Sequence, residues 1–469
     1  MITPEGFLQA ARNYSSGHTQ GQAAKEYVEN LPKTCDTLGR SLPWSTLDNL
    51  CTQFTGSPEE QCTIGLLGAL YAKTKSPDFN TQFEPFLVQF ARSIESDSTD
   101  YQSLRAGSAL VSGACEAISD QVIRRKNPIL AINLMRSVIR RIQKGPRQLT
   151  GVHATLLQLC LSSHCLKPAL PYLMDDIDDF SSDLKGGDCK QVLLYFYYGG
   201  MVYTALKKYA EAIFFFEACT RVPAQTLSHI MLEAYKKFVL VSLIQLGEVP
   251  PPHKSALQVV NRILKPSAQP YTDLVTAFLT HNPGEVVAAI SRNQEVFRRD
   301  NNFGLVKQVR AAQTKLNIQR LTKTFLTLSL ADVAARVQLS SADEAEKCIL
   351  SMIQDGEIYA KISQLDGMVV FLDDNEKYDN PKVLGKVESQ VINLNLQISR
   401  CIDLNKRLSE MNERLATNPE FISRVMLTGS GGIGTGSSLG LGDDQDMAVS
   451  ATASSSSAST SRLPSSFNH

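Results

Sequence analysis

Apolar residues recur every three or four positions through most of the first 430 residues, and strand-like alternation is almost absent there. The segments "RAGSALVSGACEAISDQV", "NPILAINLMRSVIRRIQ", "HATLLQLCLSSH" and "SHIMLEAYKKFVLVSLIQL" show the pattern, joined by short turns rich in Pro, Gly and Ser. This period puts a broad apolar stripe on each of many short helices. One such helix cannot bury its stripe alone. Helix pairs stacked on helix pairs can, so the pattern predicts a mainly α chain built as a right-handed helical-repeat solenoid.

One pair has the spacing of a tetratricopeptide repeat. In "YYGGMVYTALKKYAEAIFFFEACTRVP" the matching positions are Gly200, Tyr203, Tyr209, Ala212 and Phe216. The small residues Gly200 and Ala212 let two helices approach closely, and the aromatics fill the space between repeats. "CLKPALPYL" reads as the entry to the second helix of an earlier pair.

Residues Ala331 to Phe371 read as helix, turn, helix and hairpin, the order of a winged helix. Asp332 opens a short helix, Ser340 and Ser341 lie in the turn, and "ADEAEKCILSMIQ" forms the second helix. Asp343 and Glu344 sit near its N-terminus, where the helix dipole favours negative charge, and Gly356 follows its end. "EIYAKI" alternates as a strand, "QLDG" turns and "MVVFL" returns. Val369 and Phe371 share one strand face, and Met368 and Val370 share the other. Apolar residues on both faces of a two-stranded hairpin predict an open edge that takes another chain's strand, with Met368, Val369, Val370 and Phe371 at the contact.

A last long helix is expected from about Val383 to Val425. Leu394, Cys401, Leu408 and Leu415 are spaced by seven. Val391 and Ile398 lie on the partner seam, which Asn405 and Asn412 interrupt. This narrow face suits packing into a small helical bundle. Beyond Thr428 the chain is mostly Gly, Ser, Thr and Ala and is expected to be disordered.

Candidate chemistry is sparse. Gly429, Gly431 and Gly434 satisfy a dinucleotide-type glycine pattern but lack the strand before and the helix after that would aim amides at a phosphate. His153, Cys160 and His164 can share a helix face with Cys165 nearby, but two turns of helix span ~10 Å, too far for two ligands of one ion. A core stripe is the expectation. Asp175, Asp176, Asp178 and Asp179 lack the glycine and final glutamate of a calcium loop. No HxH, HExxH, GxSxG, phosphate-loop or kinase motif occurs. The expectation is a protein with no catalytic, cofactor or metal residues.

Lys plus Arg is 47 and Asp plus Glu is 47, which argues against a chain built around a polyanion. The winged helix is less suited still. From Ser341 to Glu357 it carries Asp343, Glu344, Glu346, Asp355 and Glu357 against Lys347 alone, where a DNA reader needs positive charge. The preceding helix carries Lys307, Arg310, Lys315, Arg320 and Lys323, with Phe325 the only aromatic partner for a base, and reads as a solvated face or a seat for an acidic protein. The ten cysteines are scattered without a CxxC pair. Met1 to Glu5 lacks the basic start of a signal peptide, and "QVLLYFYYGGMVYTAL" falls short of the ~18 apolar residues of a membrane span. The expected setting is cytoplasm and nucleus.

A helical solenoid running into a non-basic winged helix resembles the PCI-domain family, shared by scaffolds of the proteasome lid, the COP9 signalosome and translation initiation factor 3. "CLKPALPYL", "YFYYGGMVYTALKKY", "SHIMLEAYKKFVLVSLIQLG", "RDNNFGLVKQ", the run from Asn317 to Phe371 and "NEKYDNP" carry the resemblance, most of all to the signalosome branch. The resemblance implies helical repeats over residues 1–195 and a PCI domain over 196–375, its helical part ending at 327 and its winged helix occupying 328–375. A bundle helix over 376–427 and a tail over 428–469 follow. It also implies a non-catalytic subunit of a complex that removes NEDD8 from the cullins of cullin-RING ubiquitin ligases. The zinc isopeptidase of that complex resides in another subunit, which carries a JAMM motif. Implied partners are other signalosome subunits, met through winged helices in an open ring and through C-terminal helices in a bundle, with no membrane contact. The alternatives are a proteasome-lid scaffold and a nucleic-acid-binding PCI protein, and the acidic second helix argues against the latter.

Overall fold

The computed structural model describes residues 4–15, 22–55, 62–96, 101–173, 177, 179–181, 184, 189–222, 228–253, 256, 259–372, 381–419 and 422–423. The chain forms two units, residues 1–374 and 375–469. The glycine pattern at 429–434, the tail, and Asp175, Asp176 and Asp178 lie outside the described residues.

The first unit begins with helices Pro4–Ser15, Gln22–Ser41 and Trp44–Phe54 packed on Thr63–Thr74. One continuous apolar core runs through them and the helices that follow, from Phe7 to Val309. A short parallel pair, β1 (Gln148–Leu149) with β2 (Asp179–Phe180), interrupts the helices. Helix α1 (Gly151–Ser162) follows β1. Helices α2 (Lys190–Ala205), α3 (Tyr209–Arg221) and α4 (His229–Gln245) then pack in sequence. Between α2 and α3 the chain turns at Lys207, whose φ of +60° lies in the left-handed region.

The α2–α3 pair is closely spaced for a definable reason. A Cβ on Gly200 would lie 2.6 Å from Cε1 of Phe216, and one on Gly199 would lie 2.5 Å from Cδ1 of Phe215. Both rings are fully buried, so they have no room to swing aside. Ala212 is buried beside them, and the Tyr203 ring stands edge-on to Phe215 at 5.2 Å. Tyr209 reaches outward, its hydroxyl donating to Gln308 Oε1 at 3.1 Å.

Helix α5 (Gln269–Leu279) and helix α6 (Phe303–Thr322) complete the helical part. An ionic cluster ties α4 to the turn before α6. Lys236 Nζ lies 2.7 Å from both Glu233 Oε1 and Asp300 Oδ2. The Tyr271 hydroxyl donates to the same Asp300 oxygen at 3.0 Å, and Asn302 Nδ2 donates to the Tyr271 hydroxyl at 2.9 Å.

The winged helix has its own small core, including Ile318, Val333, Ile349, Met352, Val369 and Phe371. Strand β3 (Thr327–Ser329) leads into α7 (Leu330–Val337), and α8 (Ala342–Gln354) follows. Ser329 Oγ caps α7 by accepting from Asp332 N at 3.0 Å. Ser341 Oγ caps α8 by accepting from Glu344 N at 3.2 Å, while Glu344 Oε2 accepts from Ser340 N at 3.1 Å. Both are N-caps that satisfy otherwise orphaned amides. Gly356, at φ +72°, ends the turn after α8. The hairpin is β4 (Ala360–Ser363) and β5 (Met368–Phe371).

Here the structure corrects the expectation of a two-stranded wing. The sheet order is β3-β5-β4, antiparallel throughout. Met368, Val369, Val370 and Phe371 therefore form the central strand, and none of them lies on an edge. Val369 and Phe371 are buried against the winged-helix core, which removes them from any docking surface.

The second unit contains α9 (Pro381–Ala416), a single helix of 36 residues. Proline stands at its first position, where no intrahelical amide is needed. The continuous run ends at Ala416, helical residues recur at 419 and 422–423, and the expected end at Val425 lies outside the described residues. Asn418 precedes Pro419, and a residue before proline is pushed out of the α region.

Candidate functional site

Two surfaces have groups that a partner would satisfy. The first is the outer edge of the winged-helix sheet. Leu372 N donates to Tyr359 O at 2.8 Å, which fixes the alternation of the β4–β5 ladder. By that alternation Lys361 and Val370 exchange bonds inside the sheet, while the amides of Ala360 and Ile362 point away from β5. On the other side Phe371 N donates to Leu326 O and Leu330 N donates to Gly367 O, each at 2.8 Å. The β5 amides are thus used on both sides, β3 and β4 are the edge strands, and β4 turns the amides of Ala360 and Ile362 outward.

The face of the sheet turned from the core has apolar groups as well. Val370, Leu372 and Tyr359 are exposed on the sheet and at its end, and Leu365 at the wing tip is 100% exposed. Met368 is half-buried on the same face as Val370. Of the four residues expected at the contact, Met368 and Val370 lie on this outer face, and Val369 and Phe371 do not. The sequence reading missed β3, whose pairing with β5 covers the side that would otherwise be open.

The second surface is α9. Leu394, Leu408 and Leu415 are exposed at 56%, 57% and 44%, with Val391 and Ile398 at 49% and 55%. Cys401 is exposed on the same stripe. Leu384, Val387, Ile392, Ile402 and Met411 add more apolar surface. At ~1.5 Å per residue the helix presents ~54 Å of length. Exposed apolar residues at this spacing have the pattern of a bundle-forming helix.

Charge pairing joins the acidic end of α8 to part of the basic run on α6. Lys315 Nζ on α6 lies 3.1 Å from Asp355 Oδ2 and 2.9 Å from Glu357 Oε1. Burial opposes the charge on Lys315, but hydrogen bonds to Glu357 and Asp355 hold its pKa above the ordinary lysine value. Ser340 hydrogen bonds hold the Glu344 carboxyl below its ordinary range, with Arg310 and Lys347 adding attraction. The acids that would repel DNA thus neutralise part of the basic run on α6.

The candidate zinc set is dispersed. His153 is fully buried, and its Nδ1 accepts from Thr150 N at 3.1 Å as part of the cap of α1. Burial pushes its pKa down to about 4, so the ring is neutral at pH 7. Cys160 is buried, whereas Cys165 is exposed. His164 lies beyond the end of α1, with φ at +56°. Among the described residues no group of three or more His, Cys, Asp or Glu is placed to hold a metal ion, and no helix is long and apolar enough to cross a membrane.

Residues 21–260 match the family described as COP9 signalosome complex subunit 3, N-terminal helical repeats, and residues 286–373 match the PCI domain. The chain is 40% identical over 437 residues to the COP9 signalosome complex subunit 3 of Drosophila melanogaster, covering 90% of this chain and 94% of that protein. It is 33% identical over 326 residues to the protein of the same name from Dictyostelium discoideum, covering 69% of this chain and 76% of that one. The repeats, the winged helix and these two relationships agree, and the chain belongs to the COP9 signalosome complex subunit 3 family.

Proposed function

We propose that the chain is a non-catalytic scaffold subunit of the COP9 signalosome. In this reading it supports a complex that removes NEDD8 from the cullins of cullin-RING ligases, in cytoplasm and nucleus. The observation that carries the reading is the pairing of an open β4 edge with an exposed apolar α9, in a chain whose relatives carry the signalosome name. Outward amides at Ala360 and Ile362 suit the addition of a neighbour's strand. The α9 stripe through Leu394, Leu408 and Leu415 suits a helical bundle that reaches the isopeptidase-containing part.

Reconstitution tests this directly. Purified signalosome lacking the chain should cleave NEDD8–cullin poorly, and adding the chain should restore cleavage. The chain alone should cleave nothing and hold no stoichiometric zinc. Cleavage by the chain alone, or full activity without it, would refute the scaffold role.

A further inference from the structure

A cleft of about 450 Å³ opens between the end of α5, the last turns of α6 and α7, and the segment joining α6 to β3. Its walls include His281, Asn317, Arg320, Thr324, Phe325 and Arg336, and among the described residues no carboxylate lines it. Arg320 and Arg336 are exposed, and neither forms an ion pair among the described residues. Elsewhere on α6 the cations are used: Lys315 by two carboxylates, Lys307 by the Phe303 ring at 4.9 Å.

Both arginines stand in last helical turns, where the dipole favours a cation. That alone would explain a basic residue at each place but not their convergence on one cleft. The walls are also fixed without them. Asn317 Nδ2 donates to His281 O at 3.3 Å, and the Thr324 hydroxyl donates to Arg320 O at 3.0 Å. Leu339 N donates to Ala334 O at 2.8 Å and closes the end of α7. These bonds occupy helix-end carbonyls that would otherwise repel an anion. Arg336 lies over the Phe325 ring at 4.6 Å, which orients its planar fork.

We propose that this cleft binds a phosphorylated serine or threonine side chain presented by a partner's peptide. Two guanidinium groups match a phosphate dianion in charge, and each can make paired N–H donations to phosphate oxygens. Leu326, 76% exposed beside the cleft, offers an apolar shoulder for a neighbouring peptide residue. A nucleic acid is less well served, because the aromatic ring that could stack a base is covered by Arg336. The site shares no residue with the β4 edge or with α9, so it does not depend on the assembly reading.

The test uses the immobilised full chain and two degenerate peptide pools, one with a fixed central phosphoserine or phosphothreonine and one unphosphorylated. A short uridine-rich single-stranded RNA serves as competitor. The phosphorylated pool should be retained at least about tenfold better than the other. Arg320→Ala and Arg336→Ala should each cut retention about tenfold, Arg336→Lys should not restore it, and Lys307→Ala should leave it unchanged. Thr324→Glu places a carboxylate at the exposed rim and should also abolish retention, which keeps the test open if an arginine variant misfolds. Equal retention of the two pools, retention insensitive to Arg320, Arg336 and Thr324, or displacement by RNA alone would overturn the proposal. Co-purification of partner subunits by the same variants should remain normal, so failure here is separable from failure of the scaffold reading.

Discussion

Thr327 and Val370 are register partners across the β3–β5 ladder, and Lys361 is the partner of Val370 on the other side. Proline at Val370 would therefore remove an inner ladder donor from a strand paired on both sides, a position where proline is not accommodated. Val370→Pro should unfold the winged helix. Ala360→Pro removes only an outward amide. It should leave the circular dichroism and melting temperature near wild type while weakening incorporation into the complex. A folded, normally assembling Ala360→Pro protein would show that β4 is not the docking edge.

The α2–α3 crossing sets a second expectation. Gly200→Ala introduces a Cβ 2.6 Å from a ring with no space to move, so overpacking should destabilise the chain by ~1–3 kcal/mol. Gly304 in α6 has nothing within 4 Å of the same construction. Gly304→Ala should be neutral or stabilising by up to ~1 kcal/mol through helix propensity. Paired thermal melts check both. Equal melting temperatures for the two variants would contradict the packing account.

The recognisable parts of this architecture are those with local signals. The bounds of α8 follow from Ser341, Glu344 and Gly356, and the α2–α3 crossing from small residues at Gly200 and Ala212. Strand β3 has no such signal, because three residues pair with a strand far along the chain and no turn announces them. The α9 end at Ala416 had a signal in Asn418-Pro419, which the heptad pattern obscured. The Lys236 cluster escaped notice because adjacent lysines on an amphipathic helix ordinarily face water. Only the tertiary approach of Asp300 and Tyr271 gives this one a role.

That cluster carries its own expectation. Burial disfavours charge on both Lys236 and Asp300, yet their mutual hydrogen bonds, with Glu233 and Tyr271, raise the lysine and depress the aspartate. Lys236→Met removes the 2.7 Å partner of both carboxylates, leaving Glu233 to Lys237 at 3.6 Å and Asp300 to Arg299 at 3.7 Å, and should destabilise the chain by about 3 kcal/mol. The Asp300 contribution is present above the ordinary aspartate pKa and is lost as pH falls through its lower folded value. Urea titrations of wild type and Lys236→Met across the acid range check both statements, and a variant as stable as wild type at pH 7 would refute them.

His153 adds a separate pH effect. Its folded pKa is about 4, depressed by burial and partly offset by the Thr150 carbonyl 3.3 Å from Nδ1, which favours a protonated ring. The unfolded ring binds a proton near 6.5, so stability from this site is complete above that pH and falls as pH drops toward 4. The loss should reach about 3 kcal/mol. His153→Asn should flatten the slope of stability against pH between about 6.5 and 4. A slope equal to wild type would show that His153 is not its source.

The α9 stripe is tested by charge. Leu408→Asp with Leu415→Asp places carboxylates on the exposed seam and should leave the fold of residues 1–374 intact, because α9 belongs to the other unit. Incorporation into the complex should fall, since a bundle would bury those charges unpaired. Deleting everything from Gly429 onward should change neither property. Analytical gel filtration of the reconstituted complex distinguishes the two. Loss of assembly on tail deletion, with the seam variant normal, would reverse the assignment.

The most direct measurement of the central claim is quantitative mass spectrometry of proteins that co-purify with the tagged full chain from cells. The account predicts signalosome subunits in near-equal amounts, including the JAMM isopeptidase, and their loss from the Leu408→Asp, Leu415→Asp double variant. A chain that purifies alone, or with the proteasome lid in place of the signalosome, would contradict it.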